Sequence, residues 1–265
     1  MLTDKPWRAE AVILFLGLQL GGLCLGALVV GLMQKLGVPG FQVPDGPWAV
    51  VVGTLAFQGL TWGLIAVFLW QHGTDWRTAF GLRDPRRARA CGLGAGLAVV
   101  LLALLALQWA CAWLLARLGM NPVEENAVEL VRNAKSVWFQ VYLGFFAVVL
   151  APVAEEFIFR GMLFPFLKRL DLSWLAGLRT GGLISVRPTG NGNRINNGLA
   201  WFGVSGLFAL IHYNAASFLP LMLLALALTW LYNKTDNLLA PITAHALFNA
   251  INLVLLLTVP DASLT

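Results

Sequence analysis

Two adjacent glutamates, Glu155 and Glu156, lie in a long apolar stretch that begins at Val137 and carries no other charge before them. Arg160 follows four residues after Glu156, so on a helix these two side chains share one face and can form an ion pair. Glu155 is rotated by about 100° from its neighbour and has no such local partner. The spacing therefore predicts a structural pair, Glu156 and Arg160, beside a separate carboxylate that is available for chemistry.

Two further motifs, in later apolar segments, supply imidazole and amide groups. Phe208 and His212 are four residues apart, and so are His245 and Asn249, which places each pair on one face of a helix. Taken alone, each motif is better explained by hydrogen bonds between packed helices, a common use of His and Asn in membranes. Counted from the predicted cytoplasmic helix ends, however, Glu156 and the two histidines all lie roughly 12 to 20 Å deep.

Groups at a common depth could form a site that activates water. A carboxylate such as Glu155, with an imidazole as its partner, can take a proton from water, while a second His and an Asn can donate hydrogen bonds to an oxyanion. Glu155, His212 and His245 could instead bind Zn²⁺ and leave one position open for water. The metal-free mechanism needs only the groups present, and HExxH spacing is absent. We therefore favour no cofactor, with zinc as the alternative.

The rest of the chain indicates which elements must position these groups. Of the 265 residues, 58% are hydrophobic and 12% are charged, with a mean hydropathy of +0.75, whereas soluble domains average about 25% charged residues. This composition predicts one all-α domain over residues 1–265, a polytopic bundle of about seven to eight transmembrane helices around an intramembrane cavity. Apolar segments of suitable length lie at 11–33, 48–70, 90–115, 137–163, 199–216, 218–233 and 240–258.

Lysine and arginine residues gather on one side of these predicted spans, in the N-terminus and in the loops after the second and fourth spans. The positive-inside rule then predicts that the N-terminus and the large basic loops, including residues 171–198, are cytoplasmic. Membrane lipids are expected partners. Nucleic acid is not expected, because no basic run is interleaved with exposed aromatic residues.

The three motifs in order resemble a known family. EExxxR (Glu155, Glu156, Arg160), FxxxH (Phe208, His212) and HxxxN (His245, Asn249) are similar to the signature motifs of the CAAX prenyl protease and bacteriocin-processing membrane proteases, called CPBP or Abi. Order, separation and placement on successive apolar segments all agree over roughly residues 137–258. The resemblance implies an all-helical endopeptidase with its site inside the bilayer, whose relatives remove the last three residues after a prenylated cysteine.

The resemblance also implies a role for each matched residue. Glu155 would be the general base, and His212 would help to activate the attacking water. His245 and Asn249 would form the oxyanion hole, while the glutamate–arginine pair and Phe208 would support the site. The implied substrate is a membrane-associated peptide or protein, which by analogy could carry a lipid on a C-terminal cysteine.

Two other functions stay open at the level of sequence. Buried Glu and His side chains also serve proton relays in transporters, although the sequence has neither the inverted repeats nor the matched broken helices typical of those folds. Alternatively, a catalytically silent scaffold or bacteriocin-immunity protein could bind a peptide in the same cavity. The paired motifs favour the enzyme, because a pure binder has little need for both Glu155 and the HxxxN pair.

Overall fold

The computed structural model of the chain describes residues 2–3, 5–41, 46–120, 130–132, 134, 136–171, 185–186 and 194–258. Its helices are α1 (Ala9–Lys35), α2 (Pro47–Gln71), α3 (Trp76–Ala79), α4 (Arg87–Leu101), α5 (Ala103–Arg117), α6 (Val137–Arg169), α7 (Arg194–Leu210), α8 (Ala215–Thr235) and α9 (Leu239–Thr258). Two short antiparallel strands, β1 (Leu170–Asp171) and β2 (Ser185–Val186), pair with each other. Most of the predicted cytoplasmic loop 171–198 lies outside the described residues.

Six segments within the described residues are long and apolar enough to cross a membrane, namely α1, α2, α4 with α5, α6, α8 and α9. The predicted all-α, multi-pass class is therefore confirmed. Among the described residues six such segments are found where about seven to eight spans are expected, and the segment predicted at 199–216 stops at Leu210. Its apolar part, Gly198–Leu210, rises only about 20 Å, short of the roughly 30 Å hydrocarbon core of a bilayer.

Helix α1 illustrates why these surfaces suit a lipid solvent. Large apolar side chains such as Leu20, Leu25 and Leu28 are more than 60% exposed on it, while Val12 and Phe15 face the protein. On a soluble protein, contiguous exposed apolar surface of this kind promotes association. Against lipid tails, which are as apolar as leucine, it carries no such penalty.

Helix α9, which carries His245, packs along α4. A Cβ atom added at Gly94 of α4 would lie 2.3 Å from the carbonyl oxygen of Ala240 in α9. Only a glycine allows the two backbones to approach this closely, as small residues do at membrane helix interfaces. The contact therefore fixes the position of α9 about one turn before His245.

Helix α6 is not a regular α-helix. Its α-helical turns, Val137–Phe145, Ala151–Glu156 and Phe164–Arg169, alternate with two π-helical segments, Phe146–Leu150 and Phe157–Leu163. Each π segment is followed within two residues by a proline, Pro152 or Pro165. Because proline lacks an N–H and clashes with the preceding turn, the chain widens at these points. Such π-bulges frequently occur at functional sites.

The loop between α2 and α4 is hydrogen-bonded to the turn that precedes α9. Asp75 caps α3 by accepting a hydrogen bond from the Thr78 N–H at 2.7 Å. That bond, with the guanidinium of Arg83 nearby, holds the pKa of the Asp75 carboxyl below its usual value. The Asn237 side chain, just before α9, donates to the Gly81 carbonyl at 3.3 Å. The loop thus contacts the turn from which α9 begins.

Candidate active site

Glu155 and Glu156 end the short α-helical segment Ala151–Glu156, between the two π segments of α6. Their side chains diverge, because successive residues on a helix point about 100° apart. Glu156 is fully buried, whereas the side chain of Glu155 is 27% exposed. One carboxylate is therefore enclosed by protein, and the other can meet solvent or substrate.

Glu156 forms a buried ion pair with Arg160. The Arg160 Nη1 donates to Glu156 Oε1 at 2.8 Å, and neither side chain has exposed surface. Nη2 of Arg160 donates to the Ala225 carbonyl of α8 at 3.2 Å, and the guanidinium lies 4.7 Å from the ring centre of Phe208. The arginine thus joins α6, α7 and α8 around one charged group, which is tolerable at this depth only because it is paired.

His245 of α9 lies between the two glutamates. Its Nδ1 is 2.8 Å from Glu156 Oε1, and its Nε2 is 3.8 Å from Glu155 Oε2. The ring is 3% exposed. Because Oε1 of Glu156 is an acceptor that also receives the Arg160 bond, Nδ1 of His245 carries a proton and donates it. The buried glutamate therefore sets the orientation and tautomer of the imidazole, and Nε2 is left to face Glu155.

His245 and Glu155 face each other without a direct hydrogen bond. A separation of 3.8 Å is too long for a direct hydrogen bond. A water molecule about 2.8 Å from both atoms would bridge them. The neutral ring would accept a hydrogen bond from that water through Nε2, and the protonated ring would donate one.

Phe208 packs at the centre of the motif residues. Its fully buried ring contacts the rings of His245 and His212, with centroids 5.8 and 4.9 Å apart. His212 lies in the turn after α7 and not within the helix, yet its Nδ1 donates to the Phe208 carbonyl at 2.7 Å. That bond leaves Nε2 of His212 as a hydrogen-bond acceptor. The shared phenylalanine places both histidines on one side of α7.

Asn249 makes a contact that the motif spacing does not predict. Its Nδ2 donates to the Ala147 carbonyl, in the first π segment, at 2.9 Å. In that segment the Ala151 N–H bonds five residues back to Phe146, and the equivalent donor for Ala147 would come from Pro152, which has none. Asn249 therefore replaces a missing backbone bond, and its second amide N–H remains available to a ligand.

The described residues contain no cluster of three His, Cys, Asp or Glu side chains that could hold one metal ion. Glu155 and His245 approach each other through Nε2 of His245, the nitrogen that does not bond to Glu156. The set Glu155, His212 and His245, considered from the sequence as a zinc site, does not converge as the three protein ligands that a catalytic zinc needs; whether a cofactor takes part stays a prediction.

A cavity of about 570 Å³ lies beside the turn that carries His212. Its lining is mostly apolar and includes Leu207, Leu210, Tyr213 and Phe218. Part of this lining is open to the surroundings, since Leu210 and Tyr213 are 59% and 96% exposed. An open apolar cavity thus lies beside the turn that carries His212, and none of the motif residues is among those that line it.

Two polar side chains outside the motifs also reach α6. Gln58 of α2 donates to the Leu150 carbonyl at 3.0 Å, and the indole N–H of Trp7 donates to the Gly161 carbonyl at 2.6 Å. An amide inside an apolar span is a signal that could have identified Gln58. Trp7 gives no such signal, because a tryptophan at the start of a span usually marks the membrane interface.

Residues 137–251 match the family model described as Type II CAAX prenyl endopeptidase Rce1-like. The match confirms the family resemblance of the three motifs, all of whose residues it includes. It covers α6, α7, α8 and most of α9, whereas the preceding helices lie outside it. No curated protein and no solved structure matches the chain.

Proposed function

We propose that this chain hydrolyses membrane-associated peptides by means of water activated at Glu155. Residues 137–251 match the Rce1-like CAAX prenyl endopeptidases, which supports the proposal. One observation carries the proposal: a single imidazole, that of His245, lies 2.8 Å from a buried carboxylate and 3.8 Å from a partly exposed one. A partly exposed carboxylate beside an oriented imidazole is an arrangement suited to general base catalysis.

In the proposed reaction Glu155 is the general base. It takes a proton from a water molecule held between its carboxylate and His245, and the resulting hydroxide forms a bond to the carbonyl carbon of the scissile peptide. When the tetrahedral intermediate collapses, the C–N bond breaks and Glu155 returns the proton to the leaving amine. General acid–base catalysis of this kind contributes about 10²–10⁴-fold to a rate.

The negative charge on the tetrahedral oxygen needs hydrogen-bond donors. Protonated His245 would offer Nε2–H, and Asn249 would offer the amide N–H that its bond to Ala147 leaves over. His212, whose Nε2 is an acceptor, would orient the attacking water from the other side. Glu156 and Arg160 would act indirectly, by holding His245 in place.

The proposed substrate is a peptide with a lipid on a C-terminal cysteine. The apolar cavity beside the α7–α8 turn supports this, since a prenyl chain gains free energy in proportion to the apolar area that it buries. The cavity lies beside the turn that carries His212, so a chain bound there would hold the peptide next to that turn. An unlipidated peptide would lack that contribution to binding.

The test uses purified protein and matched fluorogenic peptides, one farnesylated on the cysteine and one not. Wild type should release the C-terminal fragment from the lipidated peptide, and Glu155→Gln should not. Glu10→Gln, which removes a carboxylate from the exposed start of α1, is the matched control and should cleave normally. A chelator should leave the wild-type rate unchanged if no metal takes part.

Three results would contradict parts of the proposal. Equal cleavage by Glu155→Gln and wild type would remove Glu155 as the base. Equal cleavage of the two peptides would remove the lipid requirement. Binding of the lipidated peptide with no fragment released, by a folded wild-type protein, would indicate a peptide-binding scaffold instead of an enzyme.

A further inference from the structure

The N-terminal segment, defined here as residues 2–3 and 5–8, is attached to the end of the bundle where α6 ends. Lys5 forms a 2.6 Å salt bridge with Asp236, in the turn between α8 and α9. Arg169, the last residue of α6, donates to the Lys5 carbonyl at 2.7 Å and to the Trp7 carbonyl at 3.4 Å. The segment thus connects three helices of the family-matched region, although it precedes that region by more than 100 residues.

Trp7 is the most buried residue of this segment. The residue is 7% exposed, and its ring lies against Phe68 and His72 of the α2 end, with centroids 5.1 and 5.2 Å away. Its Nε1 donates to the Gly161 carbonyl at 2.6 Å. A buried indole N–H normally requires such a partner, and a tryptophan that only anchored the membrane interface would not bond inside α6.

Gly161 lies in the second π segment, directly after Arg160. Here the Phe164 N–H bonds five residues back to Phe159, and Pro165 has no N–H to donate. The indole therefore supplies a donor to a stretch of α6 in which the regular backbone pattern is broken. A π segment holds one residue more than the α turns that flank it, so a shift in its position would rotate side chains by about 100°.

We propose that Trp7 is a positioning residue, which holds the second π segment in place so that Arg160 and Glu156 present His245 to Glu155. The Trp7 indole hydrogen-bonds to the carbonyl of Gly161, which directly follows Arg160 in the chain. Arg160 in turn bonds to Glu156, and Glu156 orients His245. Its effect on the reaction rests on the proposed function. Its effect on α6 does not, and the two can be measured separately.

The first measurement follows hydrogen exchange in peptides that cover residues 157–163. Trp7→Phe keeps an aromatic ring against Phe68 but removes the N–H, and it should speed exchange there by about tenfold, the equivalent of 1.36 kcal/mol. Trp70→Phe is the matched control, because Trp70 is 79% exposed; it should leave exchange unchanged. Replacing Trp7 by benzothienylalanine retains both rings and lacks only the donor, which covers the case in which phenylalanine packs too poorly to fold.

The second measurement is steady-state cleavage of the lipidated peptide. Loss of the indole donor should lower kcat about tenfold and leave KM within twofold, because substrate binding is intact while His245 is misplaced. Trp70→Phe should match wild type in both constants.

The outcomes separate this inference from the proposed function. Wild-type exchange in both Trp7 variants would overturn the inference, whatever the enzyme does. Faster exchange with an unchanged kcat, in a protein that Glu155→Gln inactivates, would also overturn it, since the bond would then be structural alone. Faster exchange in the Trp7 variants, together with a wild type that never cleaves, would instead refute the proposed function and leave the indole hydrogen bond as a structural support of α6.

Discussion

Replacing Arg160 by Met tests how strongly the buried ion pair holds the site together. Arg160 and Glu156 are both fully enclosed and 2.8 Å apart, so the single change leaves a carboxylate buried without its counter-charge. Removal of one partner of such a pair costs about 3–5 kcal/mol. The contact with the Phe208 ring at 4.7 Å adds about 1–2 kcal/mol where it is desolvated. We expect the free energy of unfolding to fall by about 4–7 kcal/mol, the sum of these two losses.

The assay is a double-mutant cycle on purified protein in mixed micelles, with SDS as the denaturant and tryptophan fluorescence as the signal. Glu156→Gln alone should also destabilise, because it leaves the guanidinium of Arg160 unpaired. The double variant leaves no unpaired charge, so its loss should be at least about 2 kcal/mol smaller than the sum of the single losses. Arg86→Met, which breaks a solvent-exposed pair with Asp84, is the control and should change nothing that the assay resolves.

Two results would refute this reasoning. Additive losses in the cycle would mean that Arg160 and Glu156 do not depend on each other. A loss below about 1 kcal/mol for Arg160→Met, the range of exposed ion pairs, would mean that the pair is hydrated and not buried.

Three further changes give distinct outcomes. Gly94→Ala should lower the free energy of unfolding by about 1–3 kcal/mol, since its Cβ would overlap the α9 backbone; a wild-type denaturation midpoint would contradict the close packing. Asn249→Leu should cost about 1–3 kcal/mol by leaving the Ala147 carbonyl unpaired, and Pro152→Ala, which restores a backbone N–H, should recover part of that loss; no recovery in the double variant would contradict the account of the π segment. Asp75→Ala should reduce thermal stability near neutral pH. The difference from wild type should shrink as the pH falls below 3.8 and through the lowered pKa of Asp75 in the folded protein, because the native carboxylate is then protonated. A difference in stability that does not change with pH would show that ionisation of Asp75 is irrelevant.

Local spacing predicted the features that depend on one helix. Residues four apart on a helix meet, so the Glu156–Arg160 geometry follows from the sequence alone. The apolar segments also predicted the helical membrane class, and the ordered motifs predicted the resemblance that the family match over residues 137–251 confirms. The cytoplasmic location of the N-terminus and the large basic loops, and the roles of the individual site residues, stay predictions.

Features that depend on contacts between helices were out of reach of spacing arguments. The motif resemblance assigns His212 to the attacking water and His245 to the oxyanion hole, and these roles stay predictions; the spacing does not predict that His245 lies 3.8 Å from Glu155. Which of the two rings reaches the carboxylate depends on how α7 and α9 pack around α6, and no local pattern encodes that packing. The spacing also did not predict the turn that ends α7 before His212, which leads to Asn214, the residue that caps α8.

The irregularity of α6 was partly visible in the sequence. Pro152 lies inside the predicted span 137–163, and a proline inside a helix signals a kink or bulge. The sequence does not reveal that Asn249 satisfies the carbonyl freed at this point, because that contact spans 102 residues. The bond from Trp7 to Gly161 is equally non-local, because donor and acceptor are 154 positions apart in the sequence.

The most direct test of the proposed chemistry is the single-turnover rate of peptide cleavage by Glu155→Gln. Glutamine keeps the shape of the side chain and its exposure but cannot accept the proton of water. The rate should fall by at least about 10²-fold, the contribution of a positioned general base, while the denaturation midpoint stays that of wild type. A folded variant that cleaves within threefold of the wild-type rate would contradict the claim that this carboxylate activates water.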